Sequence, residues 1–151
     1  KIIGCGNPIA GDDGVGIHVI NSLKTMSLPG YPTVLEGGTD PLNLLEMLRG
    51  TEKVILVDAV KGAGRPGDVC LLNIDRLDIH SPGGVSLHQW GLSHVLQLGN
   101  ILFPQEMPKE IILIGVEVMD TAPYSTNISQ PVKKAIPQVI KAILQELGET
   151  D

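Results

Sequence analysis

Long apolar runs are missing from this chain: no stretch reaches the roughly 20 residues that a bilayer span requires, so a transmembrane helix is not expected. Basic charge is scarce as well. Lys and Arg number 11 against 17 Asp and Glu, a formal net charge of −6 at pH 7. Such a surface offers a polyanion no electrostatic attraction, and neither nucleic acid nor a membrane is an expected partner. Cysteine is limited to Cys5 and Cys70, far apart and with no CxxC. That usage suits two buried thiols in a reducing compartment better than a disulfide or a thiolate metal site. No basic-then-apolar leader opens the chain, which starts on a strand-like segment, and the expected location is the cytoplasm. The missing initiator Met points to one or a few residues ahead of Lys1.

What is present is enough for one substantial core. At 151 residues and 42% hydrophobic, the chain fits a single domain over 1–151 and is too short for two independent ones. Short runs rich in Ile and Val alternate with segments of helical period, which predicts an α/β three-layer sandwich. Its mostly parallel central sheet has about five strands, with helices on both faces. The strands are expected at 2–5, 33–36, 54–57, around 69–72 and at 111–116. A first helix starts near Asp12 or Asp13 and turns Val15, Val19, Ile20 and Leu23 inward. Asp40 with Pro41 reads as the cap and first residue of a second helix, ahead of Leu42, Leu45 and Leu48. The turn-rich GAGRPGDV segment allows a hairpin into the fourth strand, and residues 75–86 look irregular. A helix follows over about 87–98. The last helix is signalled by Ser129 and Pro131 and by apolar residues from Val132 to Leu147 at helical spacing. Pro137 either kinks that helix or marks its true first turn.

Strands of a parallel sheet are buried along their length and reach solvent only at their ends, so acids that follow apolar runs belong at the sheet's mouth. Asp12-Asp13 in GCGNPIAGDDGVG and Asp58 after KVILV are such acids, and His88 in SLHQWGL adds an imidazole. Two carboxylates and an imidazole suit a divalent cation. The glycine loop after the first strand must also be tested as a phosphate site. It lacks the third glycine, since Ile9 stands there, and no GK[ST] follows. No Lys or Arg occurs from Ile2 through Leu23, and two acids occupy the phosphate's place.

Each candidate has a plainer reading. An aspartate at a helix start is often only a cap, but one cap suffices, so the second of the pair must project elsewhere. Asp58 at the end of a buried strand needs a partner, because an unpaired buried charge costs several kcal/mol. Lys61, Arg65 or loop amides are the structural choices, and a metal or a catalytic role is the functional one. A lone histidine such as His88 is more often a surface or packing residue than a ligand, and His18, His80 and His94 are read as structural. His88 and His94 stand six apart and do not share a helical face, so no paired-histidine zinc protease motif exists here.

Taken together and in this order, GCGNPIAGDDGVG, LEGGTDP, ILVDAV, LHQWGL and IGVEV resemble the hydrogenase maturation endopeptidases. The resemblance runs from the first strand to the last helix. It implies an endopeptidase that removes the C-terminal extension from the large subunit precursor of a [NiFe] hydrogenase. It also implies a metal site for nickel, or a zinc or cadmium surrogate, matching Asp13, Asp58 and His88, with the nickel supplied by the substrate as a recognition signal. Asp13 and Asp58 are the catalytic candidates, either through a metal-assisted water or as a pair sharing a proton, as in aspartic-type proteases. No serine or cysteine stands in a recognisable triad pattern. Substrate recognition falls on Glu36, Gly37 and Gly38, where this chain has Glu-Gly-Gly in place of the family's Asp-Gly-Gly. A monomer is expected. The competing reading is a non-catalytic checkpoint that senses nickel in the large subunit without cutting.

Overall fold

A computed structural model describes residues 1–62, 64–74, 91–119 and 124–148 of the chain. The Ile- and Val-rich runs form β1 (Ile2–Cys5), β2 (Val34–Gly38), β3 (Lys53–Val60), β4 (Val69–Asn73) and β5 (Glu110–Glu117). Helices are α1 (Val15–Leu23), α2 (Pro41–Leu48), α3 (Leu92–Leu102) and α4 (Gln130–Glu146), with a 3-10 turn over Gly11–Gly14 ahead of α1. The strands join in the order β2-β1-β3-β5-β4, parallel throughout except for the antiparallel β4–β5 pair. The expected α/β architecture of five mostly parallel strands is therefore the one observed.

Strand alternation sorts the core into two layers. Ile2, Ile55, Val57, Ile112 and Ile114 pack against Val15, Val19 and Ile20 of α1 and Val132, Val139 and Ile143 of α4. On the other face Ile3, Val54, Leu56, Ile111 and Leu113 meet Leu44, Leu45 and Leu48 of α2 and Leu92, Val95 and Leu96 of α3. Each face thus carries two helices.

Several expectations are corrected. β4 lies beside β5 and not beside β3, so GAGRPGDV is no hairpin turn; β5 takes the place between them. Leu42, in the first turn of α2, is 64% exposed, whereas Leu44, Leu45 and Leu48 are buried. Pro137 sits inside a continuous α4 whose first-turn proline is Pro131, which removes the reading of Pro137 as a start. The capping of α2 holds as expected: Asp40 Oδ1 accepts the Leu42 N–H at 2.9 Å, with Pro41 next in line. Residues 75–86 and the first turn expected for the third helix, 87–90, lie outside the described residues. Its described part runs four residues past the expected end, to Leu102.

The strand order has a functional consequence. From β1 the chain moves to β2 on one side and then to β3 on the other. α1 covers one face and α2 the opposite face. The carboxyl ends of β1 and β3 therefore flank the point where the winding reverses, which is where open α/β sheets form ligand crevices.

Candidate active site

The first half of the crevice is built by glycines. Gly6, just past β1, has φ +119, and a side chain there would collide with the Asp13 carbonyl oxygen. Gly16 lies so close to the Cys5 and Val57 carbonyl oxygens that a β-carbon would overlap both. Helix α1 thereby sits directly on the backbones of β1 and β3, and the 3-10 turn is folded over the end of β1.

That turn buries both aspartates, at 7% exposure for Asp12 and 6% for Asp13. Neither caps its own helix, since neither the 3-10 turn nor α1 has a side-chain cap. Asp12 instead accepts from Ser129 twice, Oδ1 from the backbone N–H at 2.6 Å and Oδ2 from the hydroxyl at 2.8 Å. Ser129 stands at the N-cap of α4, as the sequence suggests, but its hydroxyl turns to Asp12 and not back to its own helix. Asp13 accepts the Asn7 N–H at Oδ2, 2.8 Å away. Among the described residues Oδ1 of Asp13 accepts no hydrogen bond. Burial raises the Asp13 carboxyl above its ordinary pKa, opposed by the Asn7 N–H and by the positive charge of Lys61.

Asp58 lies within β3 and not at its end, because the strand continues through Ala59 and Val60. Its Oδ1 accepts the Ala59 N–H at 2.8 Å. Alternation puts Asp58 on the face of Leu56 and Val60, beyond the point where β1 pairs with β3 through Gly4 and Val57. Cys5, next after Gly4, feels the Asp58 charge: burial first, and then that charge, push its thiol well above the ordinary range. Asp13 thus sits in the turn that follows β1, and Asp58 in the part of β3 that extends past β1. Of the structural partners considered for Asp58, Lys61 acts electrostatically on Asp13, and the Arg65 N–H donates to Asp68 at 2.8 Å.

His88 and His80 lie outside the described residues. Among the described residues no three His, Cys, Asp or Glu side chains gather to hold an ion. Cys5 and Cys70 are both free thiols, but only Cys5 is buried as expected; Cys70, on the edge strand β4, is partly exposed.

The expected recognition segment divides between the two faces. Gly37 packs toward Ile3 Cγ2 and Cys5 Sγ, on the Asp58 face. Glu36 points the opposite way and pairs with Lys24 of the turn after α1, at 2.5 Å with both side chains nearly half exposed. Gly38 lines a shallow cleft with Cys5, Thr39, Asp40, Pro41 and Leu44, about 190 Å3 counting its open mouth.

Glu117 was not singled out by the sequence reading, although it repeats the pattern that drew attention to Asp58, an acid closing an apolar run. It is 5% exposed, and its Oε1 accepts the Gly62 N–H at 2.9 Å. Its backbone bonds Gly67 and Asp68, so Glu117 anchors both ends of the loop that carries Lys61.

Comparison with known proteins adds to this geometry. A sequence model of the family described as hydrogenase maturation protease matches residues 17–146. The chain is 29% identical to the hydrogenase 2 maturation protease of Escherichia coli K12, over 97% of this chain and 91% of that one. It is 28% identical to the hydrogenase expression/formation protein HupD of Bradyrhizobium diazoefficiens, over 98% and 77% of the respective lengths. Among solved structures, the hydrogenase maturating endopeptidase HybD from E. coli superposes with a TM-score of 0.76 at 26% identity, covering 97% of this chain and 90% of that one.

Proposed function

The chain belongs to the hydrogenase maturation protease family, and on that premise we propose that it cuts the C-terminal extension from the large subunit precursor of a [NiFe] hydrogenase, recognising nickel already held by the precursor. The observation that supports this reading is the buried Asp13 in the turn after β1, next to the switch point between β1 and β3, with Asp58 on the part of β3 that extends past β1. Asp13 is buried at a cost to its charged form, and one of its carboxylate oxygens accepts no hydrogen bond from the described residues. An incoming cation offsets that cost, and an oxygen, oxygen, imidazole set completed by His88 suits a borderline ion such as nickel. Zinc or cadmium serve as surrogates.

In this account the nickel arrives as part of the substrate, and three protein ligands leave coordination positions for the groups that already hold it. Docking on Asp13, Asp58 and His88 brings the scissile bond to the mouth of the sheet. A carboxylate of the pair takes a proton from the attacking water. The water oxygen bonds to the peptide carbonyl carbon, the C–N bond breaks, and the proton passes to the departing amine. The products are a large subunit with a new terminal carboxylate and a short C-terminal peptide. The thiols are poor nucleophiles here, since burial raises both Cys5 and Cys70.

The test is to incubate the chain with nickel-loaded precursor and weigh the products. Release of a short C-terminal peptide supports the proposal; binding with no change of mass identifies a checkpoint that senses nickel without cutting.

A further inference from the structure

Two large apolar side chains stand exposed on the loops that build the Asp13 side of the crevice. Ile9 is 53% exposed and Tyr124 is 94% exposed. They belong to loops far apart in sequence but stitched together: Ser125 N–H donates to the Ile9 carbonyl at 2.9 Å, Gly11 N–H to the Ser125 carbonyl at 2.7 Å, and Ala10 and Ser125 form a parallel bridge. The Ile9 loop is braced by Asn7, whose Oδ1 accepts the Ile9 N–H at 3.1 Å. The Asn7 backbone N–H is the same group that holds Asp13. Tyr124 has φ +61, a left-handed backbone that residues with a β-carbon disfavour. Local preference does not place this ring in solvent; the surrounding hydrogen bonds do.

We propose that Ile9 and Tyr124, on two loops joined by hydrogen bonds, form an apolar ridge against which the precursor polypeptide packs an apolar side chain flanking the scissile bond, an inference that rests on the processing role above. The ridge is continuous with the candidate site through Asn7 and Ala10, whose carbonyl accepts the Asp13 N–H. A tyrosine and an isoleucine presented on hydrogen-bonded loops beside the candidate site have the composition of an interface anchor and few side-chain torsions to order on binding.

Tyr31 supplies an internal control. It has the same backbone class, φ 49, and equal exposure, 95%, but it lies in the turn that leads into the amino end of β2, at the opposite rim of the sheet. The experiment measures kcat, KM and the dissociation constant for nickel-loaded precursor with wild type, Ile9→Ser, Tyr124→Ser, Tyr124→Phe and Tyr31→Ser. The expected result is that Ile9→Ser and Tyr124→Ser each raise KM and the dissociation constant about tenfold with kcat retained, while Tyr124→Phe and Tyr31→Ser match wild type. Values within twofold of wild type for both serine variants at the ridge, in a protein that cleaves, overturn the ridge alone. A wild-type chain that binds precursor without cleaving overturns the protease reading and leaves the ridge to be judged on binding. One that neither binds nor cleaves overturns both.

Discussion

Asp12 and Ser129, 117 residues apart in sequence, are joined by two hydrogen bonds that close the start of α4 onto the turn holding Asp13. The first of the paired aspartates is thus a structural clamp. Asp12→Ala strands the Ser129 N–H at a partly buried helix start and is expected to cost about 1 to 3 kcal/mol. Ser129→Ala keeps the backbone bond and should cost about 1 kcal/mol. Urea denaturation of both variants and the double variant checks the pairing, which requires the two losses to be less than additive.

Gly16→Ala is expected to destabilise the fold by about 1 to 3 kcal/mol or more. The new methyl group would strike the Cys5 and Val57 carbonyl oxygens, and neither strand can retreat from the centre of the sheet. Helix α1 must lift, carrying Asp13 with it, so processing should fall further than a shift in melting temperature alone explains.

Asp13→Asn is expected to leave the metal-free protein at least as stable as wild type at neutral pH, because it removes a charge that burial disfavours. The pH dependence has a definite sign. Burial raises the folded pKa above the ordinary 3.8, so the folded state holds this proton more tightly than the unfolded one. The stabilisation is complete below the unfolded value and is lost as pH rises through the folded value. A plot of the stability difference between Asp13→Asn and wild type should show that drift, and nickel should raise the melting temperature of wild type only.

Asp58→Asn and His88→Ala are each expected to abolish processing, by at least about a hundredfold, while leaving melting temperatures within a few degrees. Assays of peptide release alongside thermal denaturation separate the two effects. Wild-type cleavage rates in both variants would falsify the assignment of the site.

Thiol reagents should not inhibit. Burial, reinforced by the Asp58 charge, keeps Cys5 protonated, and burial does the same for Cys70. Iodoacetamide treatment of the native protein at pH 8 should leave processing intact; inactivation through Cys5 would point to a nucleophile that this account excludes.

Much of this arrangement could be read from the chain, and the failures have specific causes. The first strand falls at Ile2–Cys5 as expected, since glycines and a proline follow it directly. Asp58 reads as a strand end because its charge interrupts the apolar run after Val57, yet backbone pairing with Gly115, Val116 and Glu117 carries β3 on through Ala59 to Val60. Hydrogen bonding sets the end of a strand, and hydropathy does not report it. The hairpin expectation failed for a related reason: local turn residues say nothing about which strand a chain will pair with, and β5 arrives later to pair with both β3 and β4. The sequence assigns one aspartate of the Asp12-Asp13 pair as a cap of its own helix, and neither is one. Asp12 is held by Ser129 instead, a partner hidden from the sequence because Ser129 reads as an ordinary cap for its own helix.

The central claim is that Asp13, Asp58 and His88 meet around one ion, and anomalous diffraction from crystals soaked in nickel tests it most directly. The account predicts a single strong peak at the carboxyl ends of β1 and β3, about 2.1 Å from a carboxylate oxygen of each aspartate and a ring nitrogen of His88, the range of first-row divalent ions. Nickel bound elsewhere, or the three side chains directed to separate parts of the molecule around an ion that touches only one of them, would contradict it.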